Sequence, residues 1–159
     1  MELIKNLHNE LILGYNGFGG ELPEELGSLL ALETLRAGES HITGSIPLEI
    51  GNIHNLMILS LHNKSLTGLI PFTIFNIPNL KELYLWCNEL NGIIPDSISN
   101  ASELTILELS SNSFSDPIPT TLGNLRNLQQ LNLASNQFTR ESPTQELTFL
   151  SSLTNCKLL

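Results

Sequence analysis

The sequence predicts an α/β repeat, a solenoid of about six stacked 24-residue coils, each giving one short strand and one helical or 3-10 turn. Three observations carry this. Leu11, Leu35, Leu59, Leu83, Leu107 and Leu131 are each 24 residues apart. A proline recurs at one phase of every unit, as Pro23, Pro47, Pro71, Pro95, Pro119 and Pro143. The leucines of each unit alternate with other residues, the period of a strand with one buried face. Such a fixed period marks an architecture in which no unit can bury its own apolar face, so neighbours must stack.

Each part of the coil follows from its residues. Residues 80–103 read LKELYLWCNELNGIIPDSISNASE and residues 104–127 read LTILELSSNSFSDPIPTTLGNLRN, so the shared pattern is LxxLxLxxNxLxGxIPxxLGxLxx. The LxLxx segment is the strand. The asparagine column, Asn16, Asn88, Asn112 and Asn136, falls where the chain leaves the strand. There an amide that both donates and accepts can satisfy backbone groups of adjacent coils. Ser40 and Lys64 interrupt this ladder in the second and third units. Gly20, Gly44, Gly68 and Gly92 then permit backbone conformations closed to other residues, and the following proline starts the return path. The return turns point Leu26 and Leu29, Ile50 and Ile53, Ile74 and Ile77, and Leu122 and Leu125 inward.

Bulk properties agree and exclude several functions. The 159 residues are 41% hydrophobic, enough for one continuous core, but only 14% charged. Uncharged polar side chains must therefore solvate much of the surface, which suits an extracellular or lumenal protein. Seven basic against sixteen acidic residues give a net charge of −9 without a basic cluster, so a surface that tracks nucleic-acid phosphates is not expected. The most apolar window, residues 68–78, is too short to span a membrane and contains two prolines. Charged residues interrupt the first thirteen positions, so no signal peptide is visible.

The LxGxIP block is similar to that of the plant-specific class of leucine-rich repeat, and the resemblance covers residues 8–143, with units starting near 8, 32, 56, 80, 104 and 128. It implies a right-handed superhelix, a concave parallel sheet, a second short sheet near the LxGxIP segment and 3-10 turns outside. The tail, residues 146–159, resembles a segment inside the ectodomains of plant receptor-like serine/threonine kinases of the immune-receptor subclass. Spacing fits, because the step from Leu128 to Leu159 is 159 − 128 = 31 residues rather than 24. A seven-residue insertion near residues 140–147 would lengthen that coil, and residues 140–159 would connect it to a further repeat. Both ends look cut, since the cysteine-containing caps of such families are missing.

Function is expected on the solvent side of the strands, where successive coils build one continuous surface. Tyr84 and Trp86, two residues apart, should both face solvent, with Arg36, His62, Glu82 and Glu108 around them, and Tyr15 occupies the first row. Aromatic and arginine side chains dominate interface hot spots. The contrasting reading is that Trp86 only packs on its neighbours in the sheet. Glu82 and Glu108 read as neighbours in one column, an acidic stripe more readily than a catalytic pair. Two N-x-S/T sequons, at Asn63 and Asn100, are glycan acceptor candidates.

Chemistry is not expected. Residues 38–42, GESHI, superficially resemble a nucleophile elbow but lack its final glycine, and Ser40 sits in the ladder column. The glycines near 14–20 are followed by no P-loop lysine, and His8, His41, His54 and His62 lack metal-ligand spacing. Cys87 and Cys156 lie about three coils apart, so both should be free thiols. The expectation is a non-enzymatic module, without cofactor or metal, that binds a peptide, glycan or protein. The resemblance adds a plant receptor-like kinase or receptor-like protein as context, with a second leucine-rich-repeat protein as co-receptor and an extracellular location. The alternative is a secreted inhibitor of a microbial cell-wall-degrading enzyme.

Overall fold

The computed structural model of the chain describes residues 9–63, 65–139 and 143–159. In chain order its strands are β1 Glu10–Ile12, β2 Gly19–Glu21, β3 Thr34–Arg36, β4 His41–Ser45, β5 Ile58–Ser60, β6 Ser65–Gly68, β7 Glu82–Tyr84, β8 Glu89–Gly92, β9 Ile106–Glu108, β10 Ser113–Phe114 and β11 Gln130–Asn132. The odd strands form one six-stranded parallel sheet in coil order, and the even strands a five-stranded parallel sheet beside it. Leu35 pairs with Leu59, Leu59 with Leu83 and Leu83 with Leu107, so the register is the 24-residue period itself. Strands in such a sheet stack about 4.8 Å apart, and the sheet of odd strands is the inner, concave face that the resemblance implies.

Pro23, Pro47, Pro71, Pro95 and Pro119 each precede a five-residue 3-10 turn: Glu24–Ser28, Leu48–Asn52, Phe72–Asn76, Asp96–Asn100 and Thr120–Asn124. The proline is extended at each, with its fixed φ already close to that of the turn it enters. Where a sixth turn would stand, helix α1, Pro143–Leu153, packs on Thr120–Asn124. Glycine permits that approach, because a Cβ on Gly123 would collide with the Ser152 carbonyl. The predicted insertion near 140–147 falls largely outside the described residues or their side chains.

One continuous core runs through the stack. Leu35, Leu59, Leu83 and Leu107 are fully buried, as are Ile50, Ile53, Ile74, Leu122 and Leu125 from the turns. Burying such a side chain contributes about 1.5–3 kcal/mol. Leu29 departs from its predicted inward place and is 42% exposed, while Leu26 is half-buried. Both lie in the outermost described coil, which has a neighbour on one side only.

The asparagine ladder forms where asparagines follow one another. Asn88, Asn112 and Asn136 donate from Nδ2 to Leu61 O, Leu85 O and Leu109 O of the preceding coil, at 2.9, 2.9 and 3.0 Å. Their Oδ1 atoms accept from Leu66 N, Leu90 N and Phe114 N. Among the described residues Asn16 makes local bonds, to Leu13 O and Gly14 O, and Ser40 Oγ donates to Ala37 O in its own coil. Lys64, the other predicted interruption, lies outside the described residues. A second ladder, not anticipated from the sequence, runs along the outer side: Asn55, Asn79 and Asn127 each donate to a carbonyl 25 residues earlier, at 3.0 Å.

Candidate ligand-binding face

The register arranges the inner-sheet side chains in columns. Tyr84 stands in the column Ile12, Arg36, Ser60, Tyr84, Glu108, Asn132. Two residues on, beyond the ends of the strands, the same 24-residue step aligns Gly14, Gly38, His62, Trp86, Ser110 and Ala134. Interstrand bonding continues this far, with Leu61 N donating to Tyr84 O and Asn63 N to Trp86 O. One residue further the chain turns sharply. Tyr15, Glu39, Asn63, Cys87, Ser111 and Ser135 all adopt φ between 54° and 56°, a left-handed conformation that costs a side-chain-bearing residue roughly 1–2 kcal/mol.

The rings of His62 and Trp86 stack with centroids 4.6 Å apart and planes 8° from parallel. The imidazole lies against Gly38, where an added Cβ would meet its ring atoms, and Nδ1 shares a 2.9 Å hydrogen bond with Ser60 Oγ. Trp86 therefore packs along the sheet as the contrasting reading required, yet it and Tyr84 remain partly exposed. Gly38 and Ser60 were not singled out in the sequence, although both hold His62 in place. The 24-residue register was the signal that could have found Gly38.

Tyr84 donates its hydroxyl to Glu82 Oε2 at 3.1 Å. Burial, the negative charge of Glu82, the hydrogen bond to it and the charge of Glu108 push the phenol above its ordinary pKa, with Arg36 opposing. Glu82, Tyr84 and Glu108 thus stand on neighbouring strands with His62 and Trp86 beside them, while Arg36 lies two strands from Tyr84 in the same column. Tyr15 is 86% exposed but stands three coils away from Trp86.

Two expectations about the carboxylates change. Glu82 and Glu108 do not share a column: Glu82 pairs with Ile106, and Glu108 with Tyr84, because they are 26 residues apart and the register is 24. Nor is Glu108 part of a solvated stripe. It is only 9% exposed, with Oε1 accepting from Ser110 N at 3.1 Å and Oε2 from Asn132 Nδ2 at 2.9 Å.

Of the sequons, Asn63 is half-buried and donates to Glu39 Oε2 at 2.6 Å. Asn100 is exposed on the outer turns, donating to Asn76 Oδ1 at 2.9 Å. Cys87 is exposed, and Cys156 is buried against Leu122 O; neither is paired. Burial raises the Cys156 thiol pKa.

The leucine-rich-repeat family profile matches residues 54–114 and 78–138, and a second leucine-rich-repeat profile matches residues 127–156. No curated protein sequence matches the chain. Among solved structures it resembles the plant peptide hormone receptor RGFR1 in complex with RGF2, at 32% identity and a TM-score of 0.87 over 95% of this chain and 23% of the receptor's. It resembles the Arabidopsis HAESA ectodomain in complex with an extended IDA peptide hormone at 34% identity and a TM-score of 0.79, over 82% of this chain and 22% of that one. The BIR3–SERK2 complex from Arabidopsis thaliana matches at 30% identity and a TM-score of 0.73, over 82% of this chain and 69% of the matched one. The chain thus spans less than a quarter of the length of the two hormone receptors. With the 24-residue register, the asparagine ladder, the LxGxIP flank and these matches together, the chain belongs to the leucine-rich-repeat family, in its plant receptor ectodomain type.

Proposed function

We propose that this chain is an extracellular recognition module that binds a peptide across its inner sheet, as a segment of a plant receptor-like kinase or receptor-like protein. The observation that carries the reading is the partly exposed group of Tyr84, Trp86 and His62, held from beneath by Gly38 and Ser60 and flanked by Arg36, Glu82 and Glu108. Stacked, pre-positioned rings lose little rotamer freedom when a ligand arrives, the property that makes such residues hot spots. Hormone receptors of the same fold are solved with peptides bound, which favours a peptide over a glycan. In this reading residues 8–143 form the repeat array and residues 140–159 lead to a further coil. Asn100 is the favoured glycan acceptor, because it is exposed away from the ligand face, whereas Asn63 is tied to Glu39 at its edge.

The test uses peptides selected from a random library on the chain itself. Tyr84→Ala and Trp86→Ala should each weaken the selected binders by roughly tenfold or more without unfolding the solenoid, as read by circular dichroism. Unaltered affinity in both variants would place the site elsewhere.

A further inference from the structure

The ring stack is one-sided. Trp86 gives one face to His62, and the residues that follow it in the column are Ser110 and Ala134, whose side chains are too short to reach across an indole. The register thus sets only short side chains beyond Trp86 in its column, a step down in the aromatic wall that we call the notch. Glu108 forms part of the border, and both its oxygens are held by uncharged donors, Ser110 N and the Asn132 amide. Glu82, in the strand of Tyr84, likewise meets an uncharged partner, the phenol. Across the four inner columns the carboxylates are Glu10, Glu39, Glu82 and Glu108 against one arginine, Arg36, which stands two coils beyond Tyr84 on the far side from the notch.

We propose that this notch takes the cationic side chain of an arginine or lysine in the bound peptide, laid over the free face of Trp86, with the enclosed carboxylate of Glu108 beside Ser110 and, two columns away, that of Glu82 making the surrounding field negative. The inference rests on the peptide-binding reading above and specifies the chemistry of that ligand. Cations are drawn to the negative face of an aromatic ring, most strongly to tryptophan, and a flat guanidinium also stacks on it. A neutral apolar residue would gain the stacking but would leave the adjacent carboxylates without a cation. An acidic one would be repelled.

Trp86 is the only tryptophan in the chain, so its fluorescence reports on the notch directly. Peptides selected from the random library would be resynthesised with each arginine replaced by citrulline, which keeps the shape and removes the charge. One such replacement should weaken binding roughly tenfold and abolish the Trp86 fluorescence change. Raised salt should weaken the parent peptide and not its citrulline form. Glu82→Gln, which alters no buried group, should reduce the preference for arginine over citrulline. Binders that lack basic residues, or that keep their affinity with citrulline, would overturn the cationic site while leaving peptide binding intact. A library that yields no binders would remove both readings together.

Discussion

Replacing Asn112 by Ala isolates what the inner ladder contributes. The amide sits 8% exposed between two coils, donating to Leu85 O at 2.9 Å, Leu109 O at 3.1 Å and Ser110 O at 3.2 Å, and accepting from Leu90 N at 3.1 Å. Two of these bonds, to Leu85 and from Leu90, cross to the preceding coil. Alanine cannot replace either, and a buried backbone group left without a partner costs about 1–3 kcal/mol. Water entering the vacated space would recover part of this, so the net loss should be about 3 kcal/mol. Asn16 has the same place in the sequence pattern but is exposed and, among the described residues, bonds within its own coil, so Asn16→Ala should cost less than about 0.5 kcal/mol. Urea unfolding of both variants, followed by circular dichroism, reads the difference as a shift in midpoint at constant slope. Equal losses at the two positions would show that the ladder acts locally in each turn and does not join coils, and the reasoning would fail.

Two further outcomes follow from local geometry and charge. Asp116 has φ 63° in the column where Gly20, Gly44, Gly68 and Gly92 have φ from 75° to 94°, so Asp116→Gly should raise stability by up to about 1 kcal/mol; a drop in melting temperature would show that the aspartate side chain compensates for its conformation. The phenol of Tyr84 is held above its ordinary pKa of about 10 in the folded chain, mainly by burial and then by Glu82. The neutral phenol thus favours folding below pH 10, and that contribution is lost as pH rises through the raised folded value. Tyr84→Phe should remove this component from the alkaline limb of a stability profile, and an identical limb in both proteins would contradict it.

Much of the architecture was legible because the fold is written as a period. The leucine column gave strands, register and core, and the glycine and proline columns gave the return path. What escaped were features that depend on where side chains reach, not on residue type. The left-handed column holds Tyr, Glu, Asn, Cys and Ser in turn, so it has no shared residue to mark it. The outer ladder of Asn55, Asn79 and Asn127 is a visible column, but its gap at Glu103 and its lack of any partner segment in the motif concealed its role. Glu108 was read as surface because it alternates with buried leucines; only the reach of Asn132 and the Ser110 amide shows that its carboxylate is enclosed. Spacing alone set Tyr84 and Trp86 on one strand face, whereas the ring stack of His62 and Trp86 against Gly38 depends on how the side chains reach across the register.

The most direct measurement is hydrogen exchange of the backbone amides with and without a saturating library-selected peptide. The account predicts added protection in the segments 58–63, 82–87 and 106–111, which carry His62, Trp86 and the notch beside it, with the outer turns Leu48–Asn52 and Phe72–Asn76 unchanged. Protection confined to those outer turns or to the second sheet, with the inner strands exchanging as in the free chain, would contradict it.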